Sequence, residues 1–268
     1  MLGPEDFFDL EGNHLKSLFK NAEFVWEGLK NIKSYIKDNI APNVSDLRKK
    51  SSLLTRDMVI YDGEVFESGF TIDNASSTVT KDGAVLKGAS IIYAGVFLSD
   101  DQIYIGRGTV IESGALIKGP TIIGDDNEIR QGAYIRGNVI VGNKCVVGHT
   151  TEMKTAVMLG GSKAGHFAYL GDSILGKVNL GAGTKLANLK IFESKIDLTV
   201  NEKKYETGLR KFGAIFADGV ETGCNTVTMP GSLLSKNVLV YPNTTVRGYC
   251  PPDTIIKLKN NTEMRKRR

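Results

Sequence analysis

His166 is the side chain in this sequence whose type best fits it for chemistry. It stands in the run Ser162-Lys163-Ala164-Gly165-His166-Phe167-Ala168-Tyr169-Leu170-Gly171-Asp172. Imidazole is the group suited to removing an amine proton near neutral pH. A histidine flanked by glycine can equally be structural, so its neighbours decide the reading. Arg136 and Lys154 could each hold a phosphate, Arg through two parallel hydrogen bonds and Lys as a point charge. By themselves they read as cations on a solvated face. Of the other histidines, His14 falls in a helical stretch and reads as a surface residue. His149 follows Gly148 and reads as either surface or site-lining.

These residues sit on a repeat. From Ile105 an aliphatic side chain or Met returns every six positions: Ile105, Ile111, Ile117, Ile123, Ile129, Ile135, Val141, Val147 and Met153. Small residues recur near the fifth place (Thr109, Ala115, Thr121, Ala133, Cys145), and glycines follow several of the aliphatics. No helix face has this period, and simple strand alternation has period two. A short strand and a corner, repeated, fits it, and three such steps close a triangular turn of about 18 residues in a parallel β-helix. The series continues through Met158, Leu170, Leu175, Leu180 and Leu186, with five-residue steps where a corner tightens. It resumes at Ile215 and runs through Val220, Val227, Leu233, Val240 and Val246 to Pro251-Pro252. Between them, alternating segments on either side of Asn201-Glu202-Lys203 predict a hairpin projecting from one corner over about 192–212.

Upstream, Leu15, Leu18, Phe19, Ala22, Val25, Trp26, Leu29, Ile32, Tyr35 and Ile36 fall at helical spacing and predict one or two amphipathic helices over about 14–39. The expected organisation is a helical segment over 1–42, a β-helix over 43–252 and a C-terminal tail over 253–268. Ile72, Val79, Val85 and Ile91 keep an approximate six-residue beat, which puts the first coils near residue 58. The 34 Lys plus Arg against 30 Asp plus Glu leave a charge of only +4, so no nucleic-acid partner is expected. No apolar run approaches the ~18 residues of a membrane span, and no signal peptide is expected at Met1-Leu2-Gly3-Pro4. Three well-separated cysteines (Cys145, Cys224, Cys250) make no disulfide framework, and a cytoplasmic location is expected.

The block from Arg136 to Asn188 resembles the acetyltransferase domain of the bifunctional UDP-N-acetylglucosamine pyrophosphorylase/glucosamine-1-phosphate N-acetyltransferase family. The motifs that carry the likeness are Gly148…Thr151-Glu152-Met153-Lys154, Ser162-Lys163-Ala164-Gly165-His166, Tyr169-Leu170-Gly171-Asp172 and Val178-Asn179-Leu180-Gly181-Ala182-Gly183-Thr184. The likeness is strong over roughly 105–190 and weaker to about 252. It implies a left-handed, mainly β prism that works as a homotrimer. Carried over by position, His166 is the general base that deprotonates the sugar amine for attack on the acetyl thioester. Arg136 and Lys154 hold the sugar phosphate, and Tyr169 and Asn179 contact the sugar. Asn188, the Ala182 backbone and Cys224 meet acetyl-CoA, the cosubstrate, and an oxyanion would be stabilised there. Acyl transfer from an activated thioester needs no metal.

The departures are specific. One residue fewer separates Gly176 from Val178 than in the family pattern. After Asn188 the family continues with Tyr, an Asp-Gly turn and a Lys, whereas here Leu189-Lys190-Ile191 and the hairpin follow. Cys224 stands where a Ser is expected. Residues 1–104 offer neither the Gly-rich nucleotide loop nor the metal-binding Asp of a uridylyltransferase, and Phe19 to Glu27 resembles the linker preceding the solenoid. The implied function is an acyl-CoA-dependent N-acetyltransferase acting on an amino-sugar phosphate such as glucosamine 1-phosphate, in cell-envelope precursor synthesis. The alternatives are a non-catalytic trimeric sugar-phosphate-binding subunit, or a regulator that engages a separate nucleotidyltransferase through the 14–39 helices.

Overall fold

The computed structural model describes residues 2–259. Its body is a left-handed parallel β-helix of three long sheets, one 11-stranded and two 8-stranded. Each coil contributes one short strand to each sheet, here called faces one, two and three. Along face one, Val110, Glu128, Val146, Lys163, Asn179, Glu221 and Leu239 are successive Cα partners. Leu116, Tyr134, Glu152, Tyr169, Lys185, Val227 and Thr245 follow one another on face two. Ile122, Ile140, Val157, Ile174, Ile215 and Leu233 do so on face three.

The inward series from Ile105 to Met153 is buried in the prism, because each strand of two or three residues can turn only one aliphatic side chain to the axis. The five-residue steps shorten the coils. Val146 pairs with Lys163 and Lys163 with Asn179, closer in sequence than Glu128 and Val146.

After the hairpin the register differs from the one the aliphatic spacing suggests. Phe216, Thr222, Thr228, Leu234, Val240 and Val246 fill the axis, while Val227 is only half-buried on the outside of face two and Ile215 and Leu233 lie outward on face three. Two threonines occupy inward sites, so hydrophobicity alone misplaces the beat. Thr222 Oγ1 is satisfied 2.8 Å from Thr184 Oγ1.

The coils also begin later than residue 58. Met58–Tyr61 pairs antiparallel with both Glu64–Phe66 and Ser90–Ile92, and Phe70–Asp73, Thr78–Lys81 and Ala84–Val85 form a separate antiparallel sheet. Parallel stacking starts where Ser90–Ile92 meets Val110–Ile111. The beat through Ile72, Val79 and Val85 therefore belongs to hairpins, whose Asp62-Gly63 and Asp82-Gly83 turns take positive φ at both residues. At the other end Ile255–Ile256 adds a parallel strand beyond Pro251-Pro252. The remainder of the expected tail, residues 260–268 with the basic Arg265-Lys266-Arg267-Arg268, lies outside the described residues.

The N-terminal helical region is two 3-10 turns, Lys16–Phe19 and Val25–Glu27, and an α-helix, Gly28–Asn39. Its apolar stripe covers face three. Outward-pointing Ile140, Val157, Ile174, Ile215 and Leu233 are fully buried beneath this segment and the hairpin. The cover runs against the order of the coils. Asp218 N–H donates to Phe7 O at 3.0 Å, and Asn43 Nδ2 donates to Ile105 O at 2.8 Å. The hairpin, Asp197–Val200 with Lys203–Glu206, does not project freely. Ile196, Leu198 and Val200 are buried, and Tyr205 packs edge-on against Phe24 and Trp26. Alternating apolar residues on one side of a two-stranded ribbon need such a surface to be stable.

Candidate active site

The residues singled out by type fall into three places on the prism. The largest group lies on face two and its edge toward face three. Tyr169 is the register partner of Glu152, and Lys154 of Gly171. Arg136, one coil earlier, donates from Nη1 to Glu152 Oε1 at 2.6 Å, with its guanidinium 5.8 Å from the Tyr134 ring centre. One coil later, Asn188 receives the Tyr169 hydroxyl at Oδ1, 3.4 Å away, and its amide donates to Asp172. Gly171 makes this possible: a Cβ there would fall 2.5 Å from Tyr169 Oη and 2.8 Å from Asn188 Nδ2. Asp172 turns the corner at φ 45°, a left-handed conformation that Asp tolerates better than most residues.

The electrostatics of this edge are mixed. Burial lowers the Lys154 pKa from the ordinary 10.5, and the neighbouring Lys211 and Arg136 push in the same direction against the pull of Asp172. Burial, with Glu152 and Asp172, raises Tyr169 above 10.0, so at neutral pH it stays a phenol able to donate a hydrogen bond.

The second group occupies the corner between faces one and two. His166 ends the strand Lys163–His166 and is exposed, and its carbonyl accepts from Gly183 N–H at 2.9 Å. Ala182 O accepts from Asn225 N–H at 2.8 Å, which sets Cys224 on the coil above. His166, Ala182 and Cys224 thus mark one corner on three successive coils. His149 is the register partner of His166 on the coil before, and its Nδ1 lies 3.0 Å from Gln131 O. A carbonyl only accepts, so Nδ1 carries the proton. Phe167 follows His166 at φ 53°, an unusual conformation for a bulky residue, and stands 55% exposed against the His149 ring. Gly148 is required here, since a Cβ would overlap the Gly165 carbonyl and separate the two histidine-bearing coils.

Asn179 is on neither. It lies exposed on face one between Lys163 and Glu221, beside a groove of ≈ 450 Å³ that Lys177 and Gly219 also line. Within one chain, then, the fold brings Arg136, Lys154, Tyr169 and Asn188 together. It holds His166, Ala182 and Cys224 at the opposite edge of face two and sets Asn179 apart. Glu152 and Asp172 join the first group unannounced, although their outward positions in the repeat were available as a signal. Lys211 joins it through the hairpin, with no such signal.

The family model for the GMPPB C-terminal domain matches residues 117–256. A bifunctional sugar-1-phosphate nucleotidylyltransferase/acetyltransferase of Sulfurisphaera tokodaii is 36% identical over 155 residues, covering 51% of this chain and 39% of that protein. A bifunctional protein GlmU of Methanococcus aeolicus is 31% identical over 123 residues, covering 46% and 30%. This chain thus spans well under half the length of either relative. The solved UDP-N-acetylglucosamine acyltransferase of Francisella novicida aligns at 15% identity over 62% of each chain, with a TM-score of 0.41. With more than half of its residues inside the matched domain, the chain belongs to the GMPPB C-terminal domain family of hexapeptide-repeat β-helices.

Proposed function

We propose that this chain transfers an acyl group, in the simplest case acetyl, from acyl-CoA to the amine of a sugar phosphate. The observation that supports it most is the shared outer edge of face two. Arg136 and Lys154 supply cations there for a phosphate, beside Tyr169, whose hydroxyl suits a sugar, and Asn188, whose amide would meet the acyl-CoA. The bifunctional relatives, one of them a sugar-1-phosphate nucleotidylyltransferase/acetyltransferase, agree with this reading. In this mechanism the amine nitrogen bonds to the thioester carbonyl carbon and the C–S bond breaks. His166 takes the amine proton and returns it to the departing thiolate. Backbone N–H groups near Ala182 and Cys224 face the developing oxyanion. His166 and the cationic edge lie on opposite sides of face two, so the complete site needs two chains. A homotrimer would set the corner of one prism against face two of the next.

The test is thiol release from acetyl-CoA with glucosamine 1-phosphate and a panel of other amino-sugar phosphates. His166→Ala is expected to lower kcat by about 10²–10⁴ with little change in KM, the range that positioned acid–base groups contribute. Unchanged turnover removes His166 from the mechanism. A second reading, a sugar-phosphate-binding subunit without catalysis, is favoured by Cys224 and by the hairpin that replaces the expected run after Asn188. Sugar-phosphate binding with no measurable CoA affinity would select it. The third reading, a regulator acting through the 14–39 helices, loses support because their apolar stripe is already buried on face three.

A further inference from the structure

His149 stands at the same corner of faces one and two as His166, one coil earlier and in register with it. Adjacent strands of a sheet lie about 4.8 Å apart, so two side chains leaving matched positions can reach one small group between them. Both imidazoles border the Phe167 ring, His149 at 5.4 Å and His166 at 6.1 Å between ring centres. The two rings therefore share one neighbourhood outside the prism. His149 is the better fixed of the pair. Its Nδ1 proton is committed to Gln131 O at 3.0 Å, and its own carbonyl accepts from Phe167 N–H at 2.9 Å. That leaves Nε2 of the neutral ring with a lone pair and no proton. Among the described residues nothing donates to Nε2, and the side chain is only half-buried. Stapling this corner does not call for an imidazole. On an earlier coil Ser113 does it with a hydroxyl, its Oγ donating to Ala94 O. Histidine adds what a serine lacks, a second polar atom left over after the staple is made, one coil from the proposed base.

We propose that Nε2 of His149 accepts a hydrogen bond from the amino group of the acceptor sugar and holds that nitrogen beside His166. The inference rests on the reading that His166 deprotonates a sugar amine at this corner, and it extends that reading from proton removal to recognition of the amine. A primary amine is largely protonated at neutral pH and then offers three N–H donors. One goes to His149, which has no proton at Nε2 to oppose it, and another faces His166, which takes the proton. A hydrogen bond from an ionised donor is about twice as strong as a neutral one. His149 thus favours an ammonium over the hydroxyl that a plain sugar carries at the same carbon. The contact is separate from the phosphate, which the opposite edge of face two would hold.

The experiment compares ligands that differ at one group. Glucosamine 1-phosphate, glucose 1-phosphate and inorganic phosphate are titrated calorimetrically into the full-length chain as wild type, His149→Ala and His149→Gln. The wild type is expected to bind glucosamine 1-phosphate about tenfold tighter than glucose 1-phosphate. His149→Ala is expected to erase that preference and to leave glucose 1-phosphate and inorganic phosphate within about twofold of wild type. His149→Gln, whose side-chain carbonyl can accept from an amine, restores most of the preference. A purely structural role at the corner would move all three ligands or none. In the thiol-release assay His149→Ala raises KM for glucosamine 1-phosphate by the same factor and leaves KM for acetyl-CoA within about twofold. An undiminished preference in His149→Ala, or an equal loss with all three ligands, overturns the proposal. So does a wild type that binds the two sugar phosphates equally. A His149-dependent preference without any turnover by the wild type sinks the transferase reading and leaves the amine contact standing. Binding of neither sugar phosphate by the wild type overturns both.

Discussion

Lys154 shows how one residue's surroundings tune what it can bind. Its ammonium loses hydration at the edge of face two and faces Lys211 and Arg136, so its pKa falls below 10.5 despite Asp172. The charged form is the one that holds an anion. Phosphate affinity should therefore be full at neutral pH and decline as pH rises through the lowered Lys154 value, sooner than for an ordinary lysine. Lys154→Arg cannot lose its charge in that range and should hold phosphate to higher pH. Calorimetric titrations across the alkaline range check this, and matching profiles for wild type and Lys154→Arg would contradict it. Tyr169 is tuned the opposite way. Burial and two carboxylates keep it protonated, and its hydroxyl remains a hydrogen-bond donor that orients Asn188.

The N-terminal segment is the element with the largest structural consequence. Trp26 is almost completely buried, stacks on Phe24 at 4.7 Å between ring centres and meets Tyr205 of the hairpin at 5.9 Å. It thereby clasps the hairpin, and so the backbone that carries Lys211, to the rest of the chain. Trp26→Ala leaves a cavity at this junction and should cost about 3–5 kcal/mol of stability. Denaturant unfolding measures it, and a loss below about 1 kcal/mol would show that the segment is not integral. The helical spacing of Leu29, Ile32 and Ile36 was readable from sequence because it is local. The division into 3-10 turns before Gly28 was not, since Phe19 and Trp26 take their places from face three and the hairpin.

At the scale of the whole molecule, face three is spent on the chain's own N-terminal segment, so the proposed shared site would use faces one and two. The separation of His166 from Arg136 and Lys154 across face two is what a site shared between chains requires. Light scattering coupled to size exclusion is expected to give three times the 29.1 kDa chain mass. In mixed oligomers, an inactive His166→Ala chain and an inactive Arg136→Ala, Lys154→Ala chain should together regain part of the activity, because some sites combine the intact corner of one with the intact edge of the other. A monomeric mass with full turnover would remove the shared site.

By itself the sequence determined the prism. A six-residue beat of inward aliphatics is a local pattern, and it dictates short strands, corners and coil stacking over Ile105 to Met153 whatever surrounds them. It also named the side chains able to bind phosphate or accept a proton, since those properties belong to residue type. It misjudged the beat from Ile215 to Leu233, where threonines face the axis and aliphatics face outward, because inward and outward are decided by what covers the prism. Only the tertiary structure decided that cover, the antiparallel start before Ser90, and the delivery of Lys211 to an edge formed by residues far earlier in the chain. Each depends on contacts between segments distant in sequence, where burial of face three and hydrogen bonds to Asp172 and Asn188 outweigh any local preference.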